Sequence, residues 1–168
     1  MAIRPIVKYG NAVLREISRP VDEITAEVKD LVTDMVVTLK AASGLGLAAV
    51  QVGVPLRIFI VDLSALDITA DPKVFINPEI LETSGATEYE EGCLSFPGIY
   101  QLLTRPEHVR VRAVDLDGKE FIVETGGVYA RTILHEYDHL DGIMFIDHFS
   151  TVSRALVDRK LKKLAKSA

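Results

Sequence analysis

Residues 135–139 read His-Glu-Tyr-Asp-His, and no other stretch constrains the chain as strongly. On an α-helix, positions i and i+4 lie about 40° apart around the axis. His135 and His139 therefore project from one face, where two imidazoles can bind one transition metal ion. Glu136 sits about 100° round from His135, close enough to move the protons of a water on that ion. This is the H-E-x-x-H arrangement of a metal-dependent hydrolase, with the Glu as general base. The competing reading is an amphipathic helix whose histidines are merely polar or packed.

The flanks favour the first reading. Thr125-Gly126-Gly127 precedes the motif, and Thr125 is placed to cap a helix start. Gly142 follows Asp141 and suits the left-handed position after a helix. Between them, Val128, Tyr129, Ile133, Leu134, Tyr137 and Leu140 spread apolar character around most of the circumference, which predicts a buried helix. Histidines and carboxylates on a buried helix need partners, and a metal ion would supply one.

Two histidines leave such a site incomplete, because catalytic zinc-type sites take three protein ligands plus a water. No H-E-x-x-H-x-x-G-x-x-H pattern follows, although His148 lies nine residues after His139. The single cysteine, Cys93, stands in Glu91-Gly92-Cys93-Leu94-Ser95. It cannot form an internal disulfide, so two readings remain: a small buried hydrophobe, or the third ligand as a thiolate. One cysteine also suits a reducing compartment. A third segment, Gly44-Leu45-Gly46-Leu47-Ala48-Ala49-Val50-Gln51, ends a helical pattern with small residues that permit close approach. It lacks the Gly-Lys-Ser/Thr of a phosphate loop and the third glycine of a dinucleotide loop.

Together the three segments resemble the signature motifs of peptide deformylases, in the same order and with similar spacing. The resemblance spans the chain from Arg4-Pro5-Ile6 to the C-terminal helix. It implies removal of the formyl group from the N-terminal methionine of nascent bacterial and organellar polypeptides. It implies Cys93, His135 and His139 as metal ligands and Glu136 as acid–base. It further implies the Gln51 side chain and the Leu94 backbone N–H as oxyanion donors, and iron(II) as the physiological ion. From donor chemistry alone, zinc, iron(II), nickel and cobalt all suit one thiolate with two imidazoles. A thiolate beside iron(II) predicts oxygen sensitivity. Some members carry an Arg after the cysteine motif where this chain has Tyr100, in Pro97-Gly98-Ile99-Tyr100. No substrate contact is carried over to that position.

The implied substrate is a chain end, expected to bind extended. Backbone at Leu45, Gly46 and Gly92 can pair with it as an added strand, which reads no sequence beyond the first side chain. Val128, Arg131 and Thr132 precede His135 by seven, four and three positions, on the metal-facing side of the helix. They are either the walls of a methionine pocket, Arg131 giving its aliphatic stem, or ordinary packing positions. Asp138 belongs to the motif and reads as a group that orients the site, paired with Arg105, or as a plain surface carboxylate. His108 and His148 receive no role.

At 168 residues, 48% hydrophobic and 26% charged, the chain suits one domain spanning 1–168 with a real core. No run approaches the ~20 apolar residues of a membrane span. Met1–Lys8 lacks the character of a signal or transit peptide, so the bacterial cytoplasm is expected. The charge is uneven. Residues 151–168 carry six Lys and Arg against Asp158 alone, or +5; with −5 overall, the rest carries −10. A basic helix at about 151–165 reads as a solvated surface element or as a weak ribosome contact. Its apolar residues Leu156, Val157, Leu161 and Leu164 are expected to pack on the body.

Elsewhere, Asn11–Arg15 suggests a short helix, and Thr25–Ala42 a longer one capped by Thr25. Leu56–Val61, Val74–Ile76, Ile80–Thr83 and Val109–Val114 read as strands, and Asp62–Pro72 as a polar connection. Thr87–Glu91 leads into the cysteine motif. Asp115-Leu116-Asp117-Gly118 marks a hairpin to Glu120–Glu124. The expected fold is α+β, mainly antiparallel sheet packed around the motif helix, with a C-terminal helix. Two other functions compete: a metal-dependent peptidase or amidase, which needs neither the Cys93 nor the Gln51 motif, and a non-catalytic metal-stabilised peptide-binding module, which has no use for Glu136.

Overall fold

The computed structural model describes residues 1–66 and 69–168. A five-stranded antiparallel sheet forms the centre. Its strands are β1 (Gly46–Ala48), β2 (Ile58–Val61), β3 (Lys73–Ser84), β6 (His108–Val114) and β7 (Glu120–Gly126), and they lie side by side in that order. β4 (Thr87–Gly92) and β5 (Tyr100–Arg105) make a separate two-stranded sheet. The expected α+β class, with antiparallel pairing, is what the chain adopts.

The helices sit where the strand pattern leaves apolar faces. β2, Ile-Phe-Ile-Val, is buried on both sides, so both faces of the sheet must be covered there. Helix α1 (Ala26–Ala42) covers one: Leu31, Val32, Met35 and Leu39 pack with Leu47, Ile58, Ile60 and Ile76. Helix α2 (Gly127–Leu140) covers the other: Ala130, Ile133 and Leu140 pack with Ala48, Phe59, Val61 and Phe75. Adjacent residues of one strand thus feed different cores, as a period of two requires. A third core gathers Leu14, Phe96, Ile99, Leu103, Phe145 and Leu161 around the cysteine turn and the C-terminal helix.

Thr25 caps α1 as expected, accepting from the Val28 N–H at 3.3 Å. Asn11 caps a single 3-10 turn at Ala12–Arg15. Three local expectations are corrected. Thr125 does not cap α2; it lies within β7 opposite Val109, and the strand turns into the helix at Gly126 and Gly127 without a loop. The two strands read on either side of Asn77-Pro78 are one strand, β3. Register shifts there absorb the break, and Asn77 takes φ 50° while its amide bonds Val21 N and Val21 O at 2.8 and 2.9 Å. In the C-terminal helix α3 (Thr151–Ser167), Leu161 is buried and Val157 and Leu164 pack with it, but Leu156 is 79% exposed. Leu156 stands about 100° round from Val157, off the packed stripe. Of the Asp62–Pro72 connection, Leu63–Leu66 forms a 3-10 turn, and Asp67 and Ile68 lie outside the described residues. Among the described residues, no helix is long and apolar enough to cross a membrane.

Candidate metal centre

α2 presents His135 and His139 on one face, their ring centroids 5.2 Å apart. The turn after β4 brings Cys93 to them from the other sheet. One ligand atom from each of Cys93, His135 and His139 falls within a 4.8 Å cluster. Cys93 Sγ lies 3.5 Å from His139 Nε2. His135 Nδ1 is committed to Glu91 Oε1 at 2.9 Å, which leaves its Nε2 as the nitrogen that could hold a cation.

The donor set fits a divalent transition cation: one sulfur and two imidazole nitrogens, with three ligands leaving a position open for water. The electrostatics agree. Burial lowers His135, but the neighbouring Cys93 and Glu91 outweigh it and hold the imidazole well above its usual value. His139 is pushed the other way by burial and by the charges of His135 and Arg105, so it stays neutral and able to coordinate. Two buried atoms of this centre, Glu136 Oε1 and His139 Nδ1, have no hydrogen-bond partner among the described residues.

Glu136 is 4% exposed. Burial pushes its carboxyl up to about 7, against the pull of His135 and Arg105. Strand β1 lies directly on it. A Cβ at Gly46 would stand 2.7 Å from Glu136 Oε2 and 2.8 Å from Thr132 Cγ2, so only glycine lets the carboxylate and the strand share this space. Gln51 is held at both ends. Its Oε1 accepts from the Ala48 N–H at 2.9 Å, and its Nε2 donates to Ser95 Oγ at 3.1 Å, 3.7 Å from Cys93 Sγ.

A cavity of about 450 Å³ opens beside these groups. Leu45, Gly46, Gly92, Val128, Arg131 and Thr132 all line it, together with Gln51, Cys93, Leu94, His135 and Glu136. It lies between two strand edges that are free among the described residues: β1 ends the five-stranded sheet, and β4 pairs there only with β5.

Known proteins similar to this chain are numerous. The polypeptide deformylase family model matches residues 3–155. The peptide deformylase of Mesorhizobium japonicum is 47% identical over 99% of this chain and 95% of its own length. That of Maricaulis maris is 42% identical, over 99% and 97%. The crystal structure of a peptide deformylase from Legionella pneumophila superposes with a TM-score of 0.91 at 39% identity, covering 98% of this chain and 96% of the other. The chain belongs to the polypeptide deformylase family. The enzyme from Thermus thermophilus agrees over 99% of both chains, at a TM-score of 0.92 and 36% identity.

Within this deformylase fold, sequence reasoning left Glu91 without a role, and the structure makes it a hub. Its carboxylate accepts from Arg105 Nε at 2.6 Å and Nη2 at 3.0 Å, from Arg131 Nη1 at 2.6 Å and from His135. Burial raises its pKa, but the hydrogen bonds from His135 and Arg105 prevail and hold it at about 2. The period of β4 puts Glu91 on the same face as the exposed Tyr89, so alternation alone gave no sign of its burial. Ser95, which fixes Gln51, was also missed. Arg131 is anchored by its head: the guanidinium is buried on Glu91, Leu103 O and Thr87 O, and the residue lines the cavity. Asp138 does pair with Arg105, at 3.0 Å, and also takes His148 Nε2 at 2.8 Å. His108 packs its ring against Gly126, away from the centre.

Proposed function

We propose that the chain is a metal-dependent hydrolase that removes the formyl group from the N-terminal formyl-methionine of newly made polypeptides and releases formate. The observation that carries this is the Cys93–His135–His139 cluster with the buried Glu136 beside it, at the end of a cavity bounded by two free strand edges. Cys93, His135 and His139 would hold one divalent cation, iron(II) in the cell, with zinc, nickel or cobalt able to substitute. Bound there, the cation would supply Lewis acidity and make hydroxide available from water near neutral pH.

The chain's own groups supply the rest. Glu136 takes a proton from the attacking water as its oxygen bonds the formyl carbon. The carbonyl oxygen gains negative charge, which the Gln51 Nε2 and the Leu94 N–H stabilise by donating to it; one such donor is worth about 3 kcal/mol of barrier. Glu136 then passes its proton to the amide nitrogen as the C–N bond breaks, leaving formate and a free amino terminus. Ala48 and Ser95 keep the Gln51 amide aimed before substrate arrives. Backbone at Leu45, Gly46 and Gly92 aligns the peptide as an added strand. Val128, Thr132 and the Arg131 stem receive the methionine side chain.

The work of such an enzyme lies in the bacterial cytoplasm, on chains leaving the ribosome, and residues 1–168 act as one catalytic domain. The outward cations of α3 would give a weak, salt-dependent ribosome contact. Formate release from formyl-Met-Ala-Ser, after anaerobic loading with iron(II) or nickel, tests the reaction. Cleavage of unformylated Met-Ala-Ser instead would mark a peptidase, and binding without turnover a non-catalytic module.

A further inference from the structure

The mouth of the cavity holds a charge and an aromatic ring that the reaction does not use. β4 and β5 pair so that Glu90 faces Leu102 and Gly92 faces Tyr100. Glu90 and Tyr100 are therefore diagonal neighbours on one face of the hairpin. The opposite face carries Glu91, which is turned to α2. The Tyr100 ring rests on Gly92, where a Cβ would meet its Cε1 at 2.6 Å. Tyr100 is nevertheless 63% exposed, and both it and Glu90 line the cavity.

The other charges of this lining are answered or buried. Arg131, 5% exposed, is bound to Glu91, Leu103 O and Thr87 O. Glu91 receives two arginines and His135, and Glu136 lies at the floor. Glu90 takes part in none of the ion pairs among the described residues. The exposed charge left at the mouth is one carboxylate, beside an open tyrosine ring.

The deformylase reading, on which this inference rests, decides which substrate side chain meets that pair. With the formyl group at the Cys93–Glu136 end, the first side chain turns to Val128 and Thr132 of α2. In an extended chain the next side chain points to the opposite face, about 3.3 Å further along. That face of the hairpin carries Glu90 and Tyr100. We propose that Glu90 and Tyr100 form a selective rim that favours Lys or Arg, and disfavours Asp or Glu, as the second residue of the formylated peptide. A cation there gains the Tyr100 ring face and the Glu90 carboxylate, and an anion meets repulsion. Both contacts are exposed and individually weak, so the rim grades substrates rather than excluding them.

The test compares kcat/KM for formate release from formyl-Met-Lys-Ala, formyl-Met-Gln-Ala and formyl-Met-Glu-Ala, using the metal-loaded enzyme. The expected order is Lys, Gln, Glu, with about 5-fold between the extremes at low ionic strength. The ratio should shrink toward one in about 0.5 M salt, where screening is strong. Glu90→Lys should invert the order, Glu90→Gln should collapse it, and Tyr100→Ala should reduce the Lys advantage over Gln. Equal rates on the three peptides, or a parental order in Glu90→Lys and Glu90→Gln, would overturn the rim while leaving the reaction intact. Failure to release formate from any of the three would overturn the reaction itself, and the rim with it.

Discussion

At the scale of single residues, the site depends on side chains kept in unfavourable states. Glu136 is the clearest. Its folded pKa of about 7 lies above the ordinary 4.5, so the folded protein favours its neutral form. The stability this group contributes is therefore fully present below about 4.5 and is lost as the pH rises through about 7. In metal-free protein, Glu136→Gln should be more stable than the parent at pH 8, by up to roughly 3 kcal/mol, with the gap closing near pH 5; urea unfolding at the two pH values measures it. The same variant should keep its metal and lose at least ~10²-fold in turnover. Gln51 makes the complementary case. Gln51→Ala should lower kcat more than it raises KM, because the proposed amide contact would strengthen as the oxyanion forms. Steady-state kinetics on formyl-Met-Ala-Ser decides this, and a change confined to KM would reduce Gln51 to a ground-state contact. His135, Glu136 and His139 were legible in sequence because one helix turn sets their spacing. Glu91 was not, because its partners Arg105 and Arg131 come from β5 and α2, and no local pattern shows that three elements will meet there.

At the scale of elements, β4 ties the hairpin to α2 through the Glu91 carboxylate. Its pKa of about 2 lies below the ordinary 4.5. The stability it contributes is therefore complete above about 4.5 and is lost as the pH falls through about 2, an amount on the order of 3 kcal/mol. Glu91→Gln should remove that acid limb from the stability profile. Glu91→Ala should cost about 3–5 kcal/mol, since it leaves the buried Arg131 guanidinium without a carboxylate and Arg105 with Asp138 alone. Acid titrations followed by circular dichroism would show an unchanged limb if Glu91 were not the tie. α3 offers a sharper contrast, because helical periodicity alone made Leu156 and Leu161 look alike. Leu161 is buried at 2% exposure and Leu156 is not. Leu161→Ala should cost about 2–4 kcal/mol and Leu156→Ala less than about 0.5. The strands were read well where they alternate, as in β6, Val109–Val114. β3 was read as two pieces because Asn77-Pro78 looks like a break; the Asn77 amide, bonded to the backbone of Val21, bridges it from a distance in sequence that periodicity cannot see.

At the scale of the whole molecule, the chain assembles its centre from parts that share no local structure: a helix between two sheets, a turn leaving one sheet, and the edge strand of the other. That is why each of the three sequence segments was ambiguous alone and informative together. The charge distribution also belongs to this scale. Reversal of Lys160, Lys162 and Lys163, exposed on α3, should leave turnover on short peptides intact and weaken cosedimentation with ribosomes at low salt; unchanged cosedimentation would make the helix a solvated surface element only. The central claim is that Cys93 and the two histidines of α2 become one metal site in the folded chain. Anaerobic titration with cobalt(II), read by its sulfur-to-metal absorption band, tests this most directly. Saturation at one ion per chain with the band present is expected in the parent, and loss of both the band and tight binding in Cys93→Ala. Stoichiometric binding without the band, or an unchanged spectrum in Cys93→Ala, would contradict it.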